Sequence, residues 1–268
     1  MKKLVSLTVL LLICFAVKAQ PSTFAKVNDQ YYINKYEVSN GDYKKFLNDL
    51  AQTKQAELYK KCLPDTMLWG KENRNQPYVT YYFSYPTYAN YPVVGITYED
   101  AVEYCKWLTG VYNSKTDRGF KKVVFRLPTD EEWTLAANGG DKDKVYTWNS
   151  PYVLDAKKGY MCNFLRVGDN MISYDASQNS FKVVNTSFKN FSPQDKAIIP
   201  APVESFFPNR SGIYNMCGNV AEMVSEQGIA KGGSYNDPGY DVRIASVKRY
   251  SQPSVEIGFR VAMEVLEK

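Results

Sequence analysis

Histidine is absent from all 268 residues, and that absence excludes more chemistry than any motif adds. It rules out Ser-His and Cys-His nucleophilic pairs, His-ligated zinc and the two-His-one-carboxylate iron site. Cysteine is sparse. Apart from Cys14 near the start, the chain has Cys62, Cys105, Cys162 and Cys217. No pair has the close spacing of a zinc knuckle or a thioredoxin-like redox site. In an oxidising compartment four thiols allow three pairings, and sequence does not choose among them. Cys162 and Cys217 can be read as a disulfide or as two buried free thiols. Internal repeats, low-complexity stretches and a Pro-rich linker are also lacking, so the chain reads as one domain over residues 20–268.

Long apolar runs are missing as well, except at the start. Lys2 and Lys3 precede the apolar run Leu4 to Val17, which closes on Val17-Lys18-Ala19. Its fourteen residues span only about 21 Å as a helix, short of the ~30 Å hydrocarbon core. Residues 1–19 are therefore expected to be a secretory signal peptide rather than a retained membrane anchor. Ile13 stands before Cys14, where a lipidation site needs a small residue, which argues against a lipoprotein. The expected destination is outside the cytoplasm, periplasmic or extracellular, with no transmembrane segment after signal removal.

Lys2, Lys3 and Lys18 leave with the signal, so 33 basic residues become 30 against 28 acidic ones. No Lys/Arg block remains that would track a phosphate backbone, and nucleic acid is not an expected partner. Tyrosine is abundant, at 22. The cluster Tyr78 to Tyr91 reads either as amphipathic binding surface or as aromatic filler in a fold poor in regular structure.

Capping residues mark three helices. Ser39 precedes Asn40 to Gln52, with Asp42 at the third position and Tyr43, Phe46, Leu47 and Leu50 on one face. Thr97 and Asp100 open Tyr98 to Thr109, which Gly110 is expected to end. Thr129 and Glu132 form the same box on Asp130 to Asn138, closed by Gly139-Gly140. Phe125 to Pro128 reads as a strand running into that third helix. After residue 140 helical signals stop, leaving short apolar runs such as Ile229 to Lys231 between polar stretches. Backbone ladders alone do not organise so much irregular chain, and bound cations are the natural supplement.

Eight segments in order carry a resemblance. They are Tyr36 to Asn40, Tyr91 to Trp107, Phe125 to Trp133, Ala201-Pro202-Val203, Gly212 to Met216, Gly218 to Glu222, Lys231 to Tyr235 and Gly258-Phe259-Arg260. In order and spacing the chain resembles the sulfatase-modifying-factor (formylglycine-generating enzyme) family over about residues 31–265. The resemblance implies an α+β, C-type-lectin-like fold with little regular structure and two structural calcium ions. The first would be held by the Asn163 and Asp195 side chains and the Phe164 and Ala197 carbonyls. The second would use the Asn215 and Glu222 side chains and the Gly218 and Val220 carbonyls. These are hard oxygen donors, as calcium requires.

The family's chemistry does not follow. Its catalytic members use a cysteine pair just after the segment matching Gly232 to Tyr235 to bind copper and oxidise a substrate cysteine to formylglycine. Here those positions fall on Asp237 and Val242 (Asp241 if the gap shifts by one). Carboxylate and valine do not replace the thiolates that Cu(I) selects, so no copper is expected and no catalytic residue is assigned. Val261 stands where the resemblance puts a disulfide partner for Cys105. The expected function is a non-catalytic, calcium-stabilised binding or scaffold protein of the cell envelope, with a protein or glycan partner. An oxidoreductase with a relocated site and a carbohydrate-binding lectin-like module are the alternatives.

Overall fold

Strands β1 (Phe24–Lys26) and β2 (Tyr31–Asn34) form a hairpin whose turn is set by Asn28. Its Oδ1 accepts from the backbone N–H groups of Gln30 and Tyr31, a side-chain substitute for a backbone turn. The computed structural model describes residues 23–71, 76–142, 144–166, 170–175, 177–185 and 199–268. The expected signal peptide lies outside them.

Helix α1 (Asn40–Gln52) begins where Ser39 Oγ accepts from the Asp42 amide. Phe46, Leu47 and Leu50 are buried from it, each contributing about 1.5–3 kcal/mol. The short α2 (Ala56–Lys61) starts without a side-chain cap and has no fully buried residue, only Leu58 and Tyr59 half-buried against the first core cluster, so little in the sequence marks it. A 3₁₀ turn (Thr66–Gly70) and α3 (Gln76–Tyr81) follow. Helix α4 (Tyr98–Asn113) carries the Thr97–Asp100 capping box, but it runs through Gly110 instead of ending there. Gly110 is not in the left-handed region. The helix stops where Asn113 exchanges both side-chain polar atoms with the Val123 backbone. That residue lies in β3 (Lys122–Arg126), which leads through Leu127-Pro128 into α5 (Asp130–Asn138). The Thr129–Glu132 box opens α5, and Gly139, left-handed at φ +61°, closes it.

No α-helix follows among the described residues. Two small ladders pair β4 (Leu154–Asp155) with β5 (Gly159–Tyr160) and β6 (Asn170–Asp175) with β7 (Ser180–Asn185). Then come β8 (Ala221–Met223), β9 (Ile229–Lys231), β10 (Val247–Arg249), β11 (Ile257–Phe259) and β12 (Ala262–Glu267). The first sheet has the order β1-β2-β12-β3 and is antiparallel throughout. The second is β10-β9-β8-β11, with β8 and β11 parallel.

Alternation along β12 feeds two cores. Met263 and Val265 face a cluster built on α1 and α4, while Ala262 joins Ile33, Trp133, Ile213 and Met216 in another. The tyrosine cluster is largely filler: Tyr82 is fully buried, donates to the Pro92 carbonyl and packs against Trp69 and Tyr88. Of the tyrosines in this segment, Tyr81 and Tyr85 are exposed, at 48% and 54%, and Tyr78, Tyr88 and Tyr91 are half-buried.

Candidate functional site

Behind the second sheet the irregular segments converge on a buried polar seam. Arg260, entirely buried, follows β11 and lies across its centre. Its Nε and Nη2 donate to the Glu222 carboxylate. Its Nη1 and Nη2 reach the Asn34 and Tyr214 carbonyls at 2.9 and 2.8 Å. Trp133 of α5 adds an indole N–H to Glu222 Oε2 at 2.7 Å. Glu222 is therefore matched in charge by one guanidinium and gripped by three N–H bonds. Beside this pair sits Glu37, from the segment between β2 and α1. It accepts from Asn219 Nδ2 at 2.7 Å and Asn215 Nδ2 at 3.2 Å. Burial pushes its carboxyl up to about 7, against the downward pull of Arg260.

Asn215 and Asn219 are held at φ +54° and +67°, a region asparagine tolerates better than most residues. Gly218 between them, at φ +76°, is obligatory for a second reason: a Cβ there would lie 2.3 Å from the Asn163 carbonyl oxygen. The Asn219 amide donates to that carbonyl at 2.8 Å. Asn163 Nδ2 donates to Asn219 Oδ1 at 3.2 Å and the Ile199 carbonyl at 3.1 Å.

Of the eight residues carried over as calcium ligands, Asp195 and Ala197 lie outside the described residues. The structure brings Asn163 against the Gly218-Asn219 turn and links Asn215 to it through Glu37. Two observations bear on whether these groups fit a cation. Asn215 spends its amide nitrogen on Glu37 and the Val203 carbonyl, while its Oδ1 is buried and accepts nothing. An open, desolvated oxygen of that kind suits calcium. Glu222 suits it less, because Arg260 already neutralises the charge a calcium site would draw on. Among the described residues no group of three or more Cys, Asp and Glu side chains could hold a metal ion, so a calcium site there needs amide and backbone oxygens besides any carboxylate. Glu37 escaped sequence reasoning. It sits in the Tyr36 to Asn40 segment, but nothing in its spacing distinguishes it from a surface acid.

The segment expected to replace the thiol pair forms a closed ionic cluster. Asp237 Oδ2 accepts from the Ser234 amide and hydroxyl at 2.8 and 2.7 Å. Lys248 Nζ bonds both Asp237 oxygens at 2.9 and 2.8 Å and also pairs with Glu256, whose other oxygen accepts from Asn236 at 2.6 Å. Val242, fully buried, packs beside Gly233, where a Cβ would come within 2.9 Å of its Cγ1. The four described cysteines are free and buried. The Cys162–Cys217 disulfide is thus not formed. Burial pushes Cys62 and Cys217 up to about 12 and raises Cys105 and Cys162 as well. They persist as inert thiols.

This α+β fold, with few ladders and a buried Glu-Arg-Trp seam behind the second sheet, is of the formylglycine-generating-enzyme type. The profile of the Sulfatase-modifying factor enzyme 1-like domain matches residues 15–265, and the chain belongs to that family. The mouse formylglycine-generating enzyme is 26% identical over 218 residues, 74% of this chain and 49% of the mouse protein. The bovine protein named inactive C-alpha-formylglycine-generating enzyme 2 is 30% identical over 138 residues, 51% of this chain and 33% of its own length. The chain thus spans about half or less of the curated relatives it matches. Among solved structures, CarF superposes with a TM-score of 0.54 at 20% identity, covering 88% of this chain and 86% of CarF. That likeness is one of fold.

Proposed function

We propose that this chain is an exported, non-catalytic member of the family, stabilised by calcium and acting as a binding or scaffold protein in the cell envelope. The observation that carries the proposal is the setting of the two residues onto which the resemblance carries the catalytic members' thiols. Asp237 there is committed to Ser234 and Lys248, and Val242 is a packed core side chain. Neither presents sulfur to Cu(I). The name of the bovine inactive relative is consistent with a member of this family without the oxidation. The partner in this reading is a protein or glycan met outside the cytoplasm.

Calcium belongs to the same proposal. The open Asn215 Oδ1 supports it, with the Glu222 carboxylate and the Gly218 and Val220 carbonyls in the same set and Asn163, Phe164, Asp195 and Ala197 forming the other. The alternative, oxidation at a relocated site, needs an accessible thiolate or another redox ligand set. All four described cysteines are buried and protonated, which weighs against it. A sulfatase-derived cysteine peptide incubated with the protein, copper and oxygen is expected to keep its thiol mass. Conversion to the aldehyde above a no-protein control, read by mass spectrometry, overturns the non-catalytic reading.

A further inference from the structure

We propose that a cleft at the start of α4 binds a neutral oligosaccharide through side chains alone. Its volume is about 470 Å³, within the range of roughly 300–1,000 Å³ typical of small-ligand sites. The useful groups lining it are Tyr98, Glu99, Gln227, Tyr250, Ser251 and Gln252. It lies apart from both the Asp237 segment and the Glu222–Arg260 seam, neither of which contributes a lining residue.

The cleft is tied in place from three directions. Tyr98 donates its hydroxyl to the Ser225 carbonyl at 2.8 Å, fixing the helix start to the loop between β8 and β9. Gln227 of that loop donates to Glu99 Oε1 at 2.7 Å. The Tyr250 amide donates to the Gly228 carbonyl at 3.0 Å, joining the loop to the segment after β10. Gly228 permits this approach: at φ +83° an added Cβ would lie 3.2 Å from the Tyr250 carbonyl oxygen. Tyr98 and Tyr250 both pack against the first core cluster. Their rings are therefore held before a ligand arrives, which lowers the entropy lost on binding.

The lining chemistry selects the ligand class. Phenol faces stack against the C–H face of a pyranose, while amide and carboxylate groups bridge neighbouring hydroxyls in pairs. No lysine or arginine lines the cleft and Glu99 is its one ionic group, so phosphorylated and acidic ligands are disfavoured. Two other clefts among the described residues lack this combination. One, beside Asn28 and Lys268, has no aromatic residue. The other, beside Asp237 and Lys248, has none either, and its charges are spent on each other.

The test is saturation-transfer NMR on the full folded protein with cellotetraose, maltotetraose and chitotetraose, each at about 1 mM, near the weak-binding limit for such ligands. At least one is expected to bind, with saturation strongest on ring protons of one sugar face. Gln227→Ala and Gln252→Ala change exposed side chains and should fold normally. Each is expected to weaken binding about fivefold, one neutral hydrogen bond's worth. Binding should survive chelator. Failure of all three sugars, wild-type binding by both variants, or preference for an uncharged peptide overturns the proposal. Those outcomes leave the non-catalytic reading standing, since the peptide-oxidation assay decides it separately.

Discussion

The segment from β1 to α5 and the segment from Ile199 onward solve the same problem by different means. In the first, helix ends are satisfied a few residues away: Thr129 by Glu132, Thr97 by Asp100, Ser39 by Asp42. In the second, four of the five strands have only three residues, and key buried polar groups meet partners far away in the chain. Glu37 meets Asn219 across 182 positions, and Arg260 meets the Asn34 carbonyl across 226. Local caps are replaceable singly at modest cost, whereas a long-range buried network fails when one member is removed, because its partners remain desolvated and unpaired.

The sharpest way to break the comparison is Glu222→Ala. It strands the Arg260 guanidinium in the core, and denaturant titration is expected to show a loss of about 3–5 kcal/mol. The loss should persist in chelator, because the Arg260 guanidinium is stranded whether or not an ion is bound. A loss that disappears in chelator would mean that Glu222 acts only as a calcium ligand.

Calcium itself is expected to matter less. An ion at about 100 times its dissociation constant adds roughly 2.7 kcal/mol per site, so chelation should lower the Tm of the protein by several degrees. Asp195→Ala should shrink that shift and cost little once calcium is gone. A Tm indifferent to both chelator and added calcium overturns the calcium reading.

Smaller again is the acid response of the first region. Burial would raise the Glu132 carboxyl, but the Arg126 guanidinium and the Thr129 amide and hydroxyl together hold it below its ordinary value. A depressed carboxylate stabilises the fold fully above its unfolded value of about 4.3, and the contribution fades as pH falls through the folded value. Glu132→Gln should therefore narrow its gap from wild type below about pH 4. A gap that stays constant there would show that Glu132 acts only through packing.

The smallest effect has the most diagnostic sign. A Cβ at Gly110 meets nothing within 4 Å, and the residue is interior to α4, so Gly110→Ala should stabilise by about 0.5–1 kcal/mol. Destabilisation would mean that the helix ends at residue 110 in a left-handed cap.

The last pair of residues also shows what sequence made legible. Ser39, Thr97 and Thr129 announced their helices because a cap is a contact between near neighbours. Gly110 misled because nothing local distinguishes a terminating glycine from one that a strand, here β3 through Asn113, holds in a longer helix. Helix α2 escaped because it is short, has no side-chain cap and only half-buries Leu58 and Tyr59. At the site, Asn163, Asn215 and Glu222 were found through the order of motifs around them. Glu37 and the Arg260 partnership were not, because their partners lie far away in the chain and no periodicity encodes them. Even Arg260, visible in Gly258-Phe259-Arg260, gave no hint that Glu222 would be its counter-ion.

The first sheet's strand order has a consequence for biosynthesis. Strand β12 lies between β2 and β3, so the hairpin at the start of the described chain and the strand leading into α5 touch no common ladder until residues 262–267 arrive. Synthesis proceeds at about 5–20 residues per second. The early helices therefore wait many seconds with their sheet open and the edges of β2 and β3 unpaired. A holding factor during synthesis or export would have that interval to act on, and a chain cut before Ala262 should be a target for proteolysis rather than a smaller folded protein.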